Sequence, residues 1–375
     1  MCFLSGIVLL GCFESKNTTQ DSEFDLPALL DHYANSIILP RYQNFAEATE
    51  SLKTSVVTLA DSPTQDNLAA VQQAHKAAFL AWEGVRTFSF GPANTVSLGS
   101  NTEFFPVDTS LIEDNIASGS YDFEVPKYAK SKGLSAIDYL INSAKGKVDS
   151  TWSTLDTANQ RREYLMELTN LVDSLADAVV EQWSPSGGNY QKTFVENTGN
   201  SIGSSLGVLI NLYIQGYEFT RTRQIADPAG IFLSPLGVSE SENPSPERLE
   251  ALYGEFSLEL VEVALQGHKD LFAGTAVSSS NKLGDSLGLD DYLESRDAKK
   301  GEEDLHTAIL NQFNDSQEKL QAIKSTQSTL KAALENDREN IRLLWVSLQN
   351  QIVNLKVNLT SALGVTITFQ SNDGD

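Results

Sequence analysis

Apolar side chains in this 375-residue chain return every three or four positions over long stretches and almost never every second one. That period belongs to helices packed on one face, so the chain reads as all-α. Leu68, Val71, His75, Ala78, Trp82 and Val85 form one stripe of a helix expected over 65–88. Leu165, Leu168, Val172, Leu175, Val179 and Trp183 form a second, and Ile341, Trp345, Leu348, Ile352, Leu355 and Leu359 a third. Helices of this length reach roughly 40 Å at about 1.5 Å per residue, and such long apolar faces need partners along their whole length, as in a four-helix bundle. Further helices are expected over 27–60, 133–142, 194–222, 246–272 and 302–334, with a kink at Pro40, which lacks an amide donor.

The clearest break is Ser184-Pro185-Ser186-Gly187-Gly188-Asn189. It divides the helices into two sets of about four, which places an N-terminal bundle at 26–188 and a C-terminal bundle at 189–375. A second irregular stretch, 227–246, holds four prolines and is longer than an ordinary bundle turn.

Charge narrows the function. With 27 basic against 50 acidic side chains the formal charge is −23, and no compact basic patch interrupts it. Nucleic acid is therefore not an expected partner, because its affinity comes largely from neutralising phosphates. The two cysteines, Cys2 and Cys12, both fall in the first twelve residues, so the body has no disulfide framework. Residues 3–11 are apolar and end Leu9-Leu10-Gly11-Cys12. This resembles the lipobox of bacterial lipoproteins, although no Lys or Arg precedes Cys12. It implies a signal peptide at 1–11, lipidation of Cys12, a hydrated tether at 12–25, and a chain anchored by lipid in the cell envelope, periplasmic or outer-membrane associated. The apolar run is too short to span a bilayer, which takes about 20 residues.

Familiar catalytic spacings lack their context. The four histidines, His32, His75, His268 and His306, open no HExxH pattern, so no zinc motif is present. His75 sits on an apolar stripe, as a core histidine does, and the Glu303/His306 pair reads as a solvated face. Gly203-Ser204-Ser205-Leu206-Gly207 matches a G-x-S-x-G elbow by letters, but its helical neighbours remove the strained strand-to-helix turn on which that motif depends.

Four groups of residues together resemble the imelysin-like family of all-helical bacterial envelope proteins, historically classed as metallopeptidases and linked to iron acquisition. They are Ala81-Trp82-Glu83-Gly84-Val85-Arg86 with Phe90-Gly91-Pro92, Phe105-Pro106-Val107-Asp108, Gly133-Leu134-Ser135-Ala136-Ile137-Asp138-Tyr139-Leu140, and Leu252-Tyr253-Gly254-Glu255-Phe256-Ser257 with the C-terminal Gly364–Phe369 stretch. The resemblance implies two similar four-helix bundles with a cleft between them. It implies a ligand-binding set of Gly133, Ser135, Asp138, Tyr139, Trp82, Arg86, Asp108 and Ser257. The third group departs from the family's GxHxxE: Ser135 stands where the His is expected and Asp138 where the Glu is.

A Ser and Asp site offers oxygen ligands only, which suit a hard divalent cation better than zinc; whether a metal or iron binds is left open. Ser135 and Asp138, three apart, share a helix face. Arg86, one turn from Trp82, is expected to hold Asp138 or Asp108, or to take a ligand's carboxylate. The leading expectation is a lipid-anchored, non-catalytic binding protein working with envelope uptake partners in iron uptake. A metallopeptidase and a structural or partner-binding module are the alternatives.

Overall fold

The computed structural model describes residues 24–143, 152, 157–234, 237–277 and 287–369. The expected signal peptide and Cys12 lie outside them, as do all but the last two residues of the tether. The described residues are all-α, with two small antiparallel hairpins.

In chain order, α1 (Leu26–His32) passes through a π-helical segment, Tyr33–Ile38, into α2 (Leu39–Asp61), and α3 (Gln65–Val85) follows after a short turn. The Thr64 hydroxyl accepts the Asn67 N–H at 3.2 Å and starts α3. Short helices α4 (Pro92–Thr95) and α5 (Leu98–Thr102) lead to α6 (Thr109–Ser118), α7 (Leu134–Asn142) and α8 (Ala158–Trp183). Then come α9 (Tyr190–Glu196), α10 (Ser205–Phe219), a second π segment at Thr220–Ala226, and α11 (Asp227–Ala229). The hairpin β1 (Ile231–Ser234) and β2 (Gly237–Glu240) precedes α12 (Ser257–Phe272) and α13 (Leu289–Ser295). A second hairpin, β3 (Lys299–Lys300) and β4 (Glu303–Asp304), opens onto α14 (Leu305–Thr326), α15 (Leu330–Asn336), α16 (Arg338–Val353), a third π segment at Asn354–Leu359 and α17 (Thr360–Leu363).

α2 packs along α3 and α8, with α7 against both α3 and α8, while α14 packs along α16, with α12 and α10 beside them. The two groups meet where α3 lies on α12 and where the turn after α3 lies on α10. One contiguous apolar cluster runs through both. Arms cross between them: the Tyr33 hydroxyl donates to the Leu271 carbonyl at 2.5 Å, and Phe194 on α9 stacks on Phe90 at 5.6 Å. We propose that these groups are the bundles of 26–188 and 189–375, with α9 as an arm of the second laid on the first.

Several expected helices are interrupted, each for a physical reason. At Pro40 the helix widens: Leu39 N–H donates to Ala34 C=O, five residues back. The Ser36 carbonyl, which Pro40 cannot satisfy, accepts the Val277 N–H at 3.0 Å instead. Pro228 repeats the device, with Asp227 N–H donating to Thr222 C=O. The helix expected over 194–222 breaks at 197–204, where the Ser204 hydroxyl caps α10 through the Gly207 N–H at 3.1 Å. Ser205 is therefore the first residue of a capped helix and sits on no nucleophile elbow. The helix expected over 302–334 breaks before Thr329, which caps α15. The largest difference is at 246–272, where the helix begins only at Ser257. Residues 249–256 form a turn with Ala251 and Glu255 at φ 50° and 58°.

Candidate functional site

α7 runs through the interior, with every residue from Leu134 to Ile141 buried. Gly133 precedes it at φ 81°, and a Cβ there would lie 2.4 Å from the Thr102 carbonyl oxygen, so glycine is required for α5 to approach. Asp138 is 1% exposed. Its Oδ1 accepts Asn142 Nδ2 at 2.9 Å and its Oδ2 accepts the Tyr253 backbone N–H at 2.9 Å. The second bond draws the 249–256 turn onto α7, where Gly254 leaves room, since a Cβ would meet a Phe256 ring carbon at 2.6 Å and Asp138 Oδ1 at 2.9 Å. Burial raises the Asp138 pKa, partly offset by His75 and by these hydrogen bonds. His75 behaves as a core residue: Nε2 lies 2.9 Å from the Leu134 carbonyl, and burial lowers its pKa.

Arg86 anchors the second part of the site. Its Nη2 donates to Glu83 at 2.6 Å and to Glu250. Its guanidinium carbon lies 4.2 Å from the centre of the Phe219 ring and 5.6 Å from that of Trp82. Gln224, from the second π segment, donates to Glu250 at 2.7 Å and to Glu83 at 3.3 Å. The Ser257 hydroxyl donates to the Glu250 carbonyl. Glu103 stands nearby and accepts the Ser135 hydroxyl. Three buried carboxyls thus surround one guanidinium, an arrangement that cannot stay fully ionised away from water. Burial pushes Glu83 up to about 8 against the pull of Arg86. Burial and the field of Glu250 hold Glu103 well above the usual carboxylate range.

The Glu103 and Ser135 pair stands between two cavities. One, of about 340 Å³, is lined by Trp82, Arg86, Glu103 and Phe219. The other, of about 270 Å³, is lined by Ser135, Asp138, Tyr253 and the Phe105-Pro106-Val107 stretch.

The expected partners of Arg86 need correction. Arg86 pairs with Glu83 and Glu250, and Asp138 is held by Asn142 and Tyr253. Asp108 caps α6 by accepting the Leu111 N–H at 3.0 Å. Tyr139 donates to Glu113 at 2.7 Å, and Glu113 also pairs with Arg161. Ser135, Asp138, Arg86 and Ser257 meet at the 249–256 turn, whereas Gly133 packs on Thr102 and Trp82 lies beside Arg86. Both Asp138 oxygens and one of Glu103 already accept hydrogen bonds, and among the described residues no group of three His, Cys, Asp or Glu side chains could hold a metal ion.

A model of the imelysin family (peptidase M75) matches residues 38–359. The chain belongs to the imelysin family. Solved structures agree on the fold. A protein of Parabacteroides distasonis ATCC 8503, described as an iron-regulated protein A precursor, has a TM-score of 0.71 at 18% identity, covering 90% of this chain and 95% of its own. An imelysin-like protein of Psychrobacter arcticum 273-4 has a TM-score of 0.67 at 16% identity, covering 92% of this chain and 97% of its own. No curated protein matches the chain.

Within this imelysin the sequence reading missed Glu83, Glu103, Gln224 and Glu250. Glu83 was legible, because it stands three residues before Arg86 on one helix face. Glu250 was hidden by reading its turn as helix, and Glu103 and Gln224 are joined to the site only by tertiary contacts.

Proposed function

We propose that this imelysin is a cell-envelope protein that binds an iron complex for uptake without catalytic turnover, held to the membrane by lipid on Cys12. The observation that carries the reading is the state of the motif position. Ser135 donates its hydroxyl to Glu103, whose pKa burial and the field of Glu250 raise, so the pair stands between the two cavities as a hydrogen-bonding group for a ligand, with no imidazole at the motif position. The ligand class is an iron species contacted through the oxygens of its organic shell, not the bare ion. The iron link draws on the Parabacteroides neighbour's description and on the family resemblance. The envelope location draws on the lipobox; no described helix is long and apolar enough to cross a membrane.

Titration of the purified protein with ferric citrate, alongside elemental analysis and a protease assay with and without chelator, tests this. Saturable binding weakened by Ser135→Ala is expected. Stoichiometric zinc with chelator-sensitive cleavage would overturn it in favour of a metallopeptidase. The burial of Asp138, Glu83 and Glu250 favours a second reading, a structural or partner-binding module. Failure to bind ferric citrate would carry that alternative. For the anchor, wild-type protein should partition with membranes and Cys12→Ser should not.

A further inference from the structure

The cavity on the Arg86 side of the Glu103 and Ser135 pair lies between the end of α3, α5 and α10. It holds about 340 Å³, at the lower end of the roughly 300–1,000 Å³ usual for small-molecule pockets. Trp82, Arg86, Glu103, Leu212 and Phe219 line it, and the exposed Ser89 and Gln215 stand at its edge. Three buried polar atoms on these residues have no hydrogen-bond partner among the described residues: Trp82 Nε1, Arg86 Nε and Glu103 Oε2. Trp82 is only 2% exposed. The rest of each charged group is engaged, Arg86 Nη2 with Glu83 and Glu250 and the other oxygen of Glu103 with Ser135. Leaving a buried polar group unpaired is costly, so three on one cavity point to an occupant that supplies their partners.

The lining sets the chemistry of that occupant. Trp82 Nε1 and Arg86 Nε can only donate, so each calls for an acceptor. The Glu103 carboxyl accepts when ionised and donates when protonated. A hydroxyl does both and meets all three groups in either state. Charge argues against the alternatives. An added anion would face Glu83, Glu103 and Glu250 around a guanidinium they already balance, and an added cation would lie against that guanidinium.

We propose that this cavity binds a small neutral polyhydroxyl compound of monosaccharide size. Its hydroxyls pair with Trp82 Nε1, Arg86 Nε and Glu103 Oε2, and Leu212 and Phe219 cover its C–H face. The site is independent of the iron reading, because Ser135 and Asp138 line the other cavity.

Calorimetric titration of the purified full chain with D-glucose, D-galactose and D-mannose, each beside its amino sugar and its uronate, tests the proposal. At least one neutral sugar should bind, and its two charged analogues should bind at least about tenfold more weakly. Trp82→Phe, which removes the indole N–H, should weaken that sugar by about tenfold. Gly99→Leu should abolish binding while the thermal melt stays cooperative. Gly99 lines the cavity, and a Cβ there meets only Ser89 Oγ, at 3.6 Å, so the larger side chain fills the space. If Trp82→Phe does not fold, Gly99→Leu gives the same reading. Ferric citrate titrated alongside separates the two proposals: a protein that binds a sugar and not ferric citrate keeps this site and loses the iron reading, and the converse result does the reverse. No heat from any of the neutral sugars at about 10 mM, equal binding of the charged analogues, or unchanged binding in either variant would overturn it.

Discussion

Arg86 and Arg41 are both buried guanidiniums beside α3, and they are treated in opposite ways. Arg86 is enclosed by Glu83, Glu250, the Phe219 ring and the Trp82 ring. Arg41 faces a cavity with one long hydrogen bond. A charge removed from water has to find its counter-charge somewhere. At Arg86 the protein supplies it from α3 and from the turn before α12, which locks the two helix groups together. At Arg41 the counter-charge is the field of Asp270, with no direct ion pair.

The largest expected effect separates the two directly. Arg86→Met should cost about 3–5 kcal/mol in urea unfolding, because it strands buried carboxyls. Arg41→Met should stay within about 1 kcal/mol of wild type, since it removes one long hydrogen bond and no direct ion pair while relieving the cost of burying the charge. Equal losses would erase the distinction. Next comes Asp138→Asn, which keeps the shape but replaces one acceptor oxygen by an amide facing an N–H donor. A loss of about 1–3 kcal/mol is expected, with faster amide exchange over 249–256. Unchanged stability would show that the turn is not clamped by Asp138.

A smaller effect is read in pH. The folded Glu83 pKa of about 8 lies above the ordinary 4.5, so the folded chain holds the extra proton between those values. Its contribution to stability is full below about 4.5 and is lost as pH rises through about 8. The urea midpoint should therefore fall between pH 5 and 9, and Glu83→Gln should flatten that slope; an unaltered slope would place the titration elsewhere. The smallest effect has the opposite sign. Gly84→Ala should stabilise by about 0.5–1 kcal/mol in thermal melts, because the helix gains and the open space accepts the methyl. Destabilisation would mean that the cavity beside Arg41 is filled.

Much of this was readable in one dimension. The stripes through Trp82, Trp183 and Trp345 identified their helices because a 3.6-residue period leaves its mark on every turn. Gly133, Ser135 and Asp138 were legible as a group through the family resemblance, and Ser135 and Asp138, three apart, share a helix face. The partners of Arg86 were legible only in part: Glu83 is a local neighbour, whereas Glu250 is 164 residues away in sequence. The 249–256 turn was misread as helix because its composition is helical, and what breaks it is a backbone N–H drawn to Asp138, 115 residues distant.

The sequence by itself therefore determined the all-α class, the family and the course of the long helices. Each of these depends on residue type or short-range period, which pairwise spacing along the chain carries. Only the tertiary structure decided which charges share the interior, that Arg86 rather than Asp138 is the hub of the carboxyl cluster, and that Arg41 opens onto a cavity. Those outcomes follow from the cost of burying charge, which is set by whichever distant groups the folded chain brings within hydrogen-bonding range.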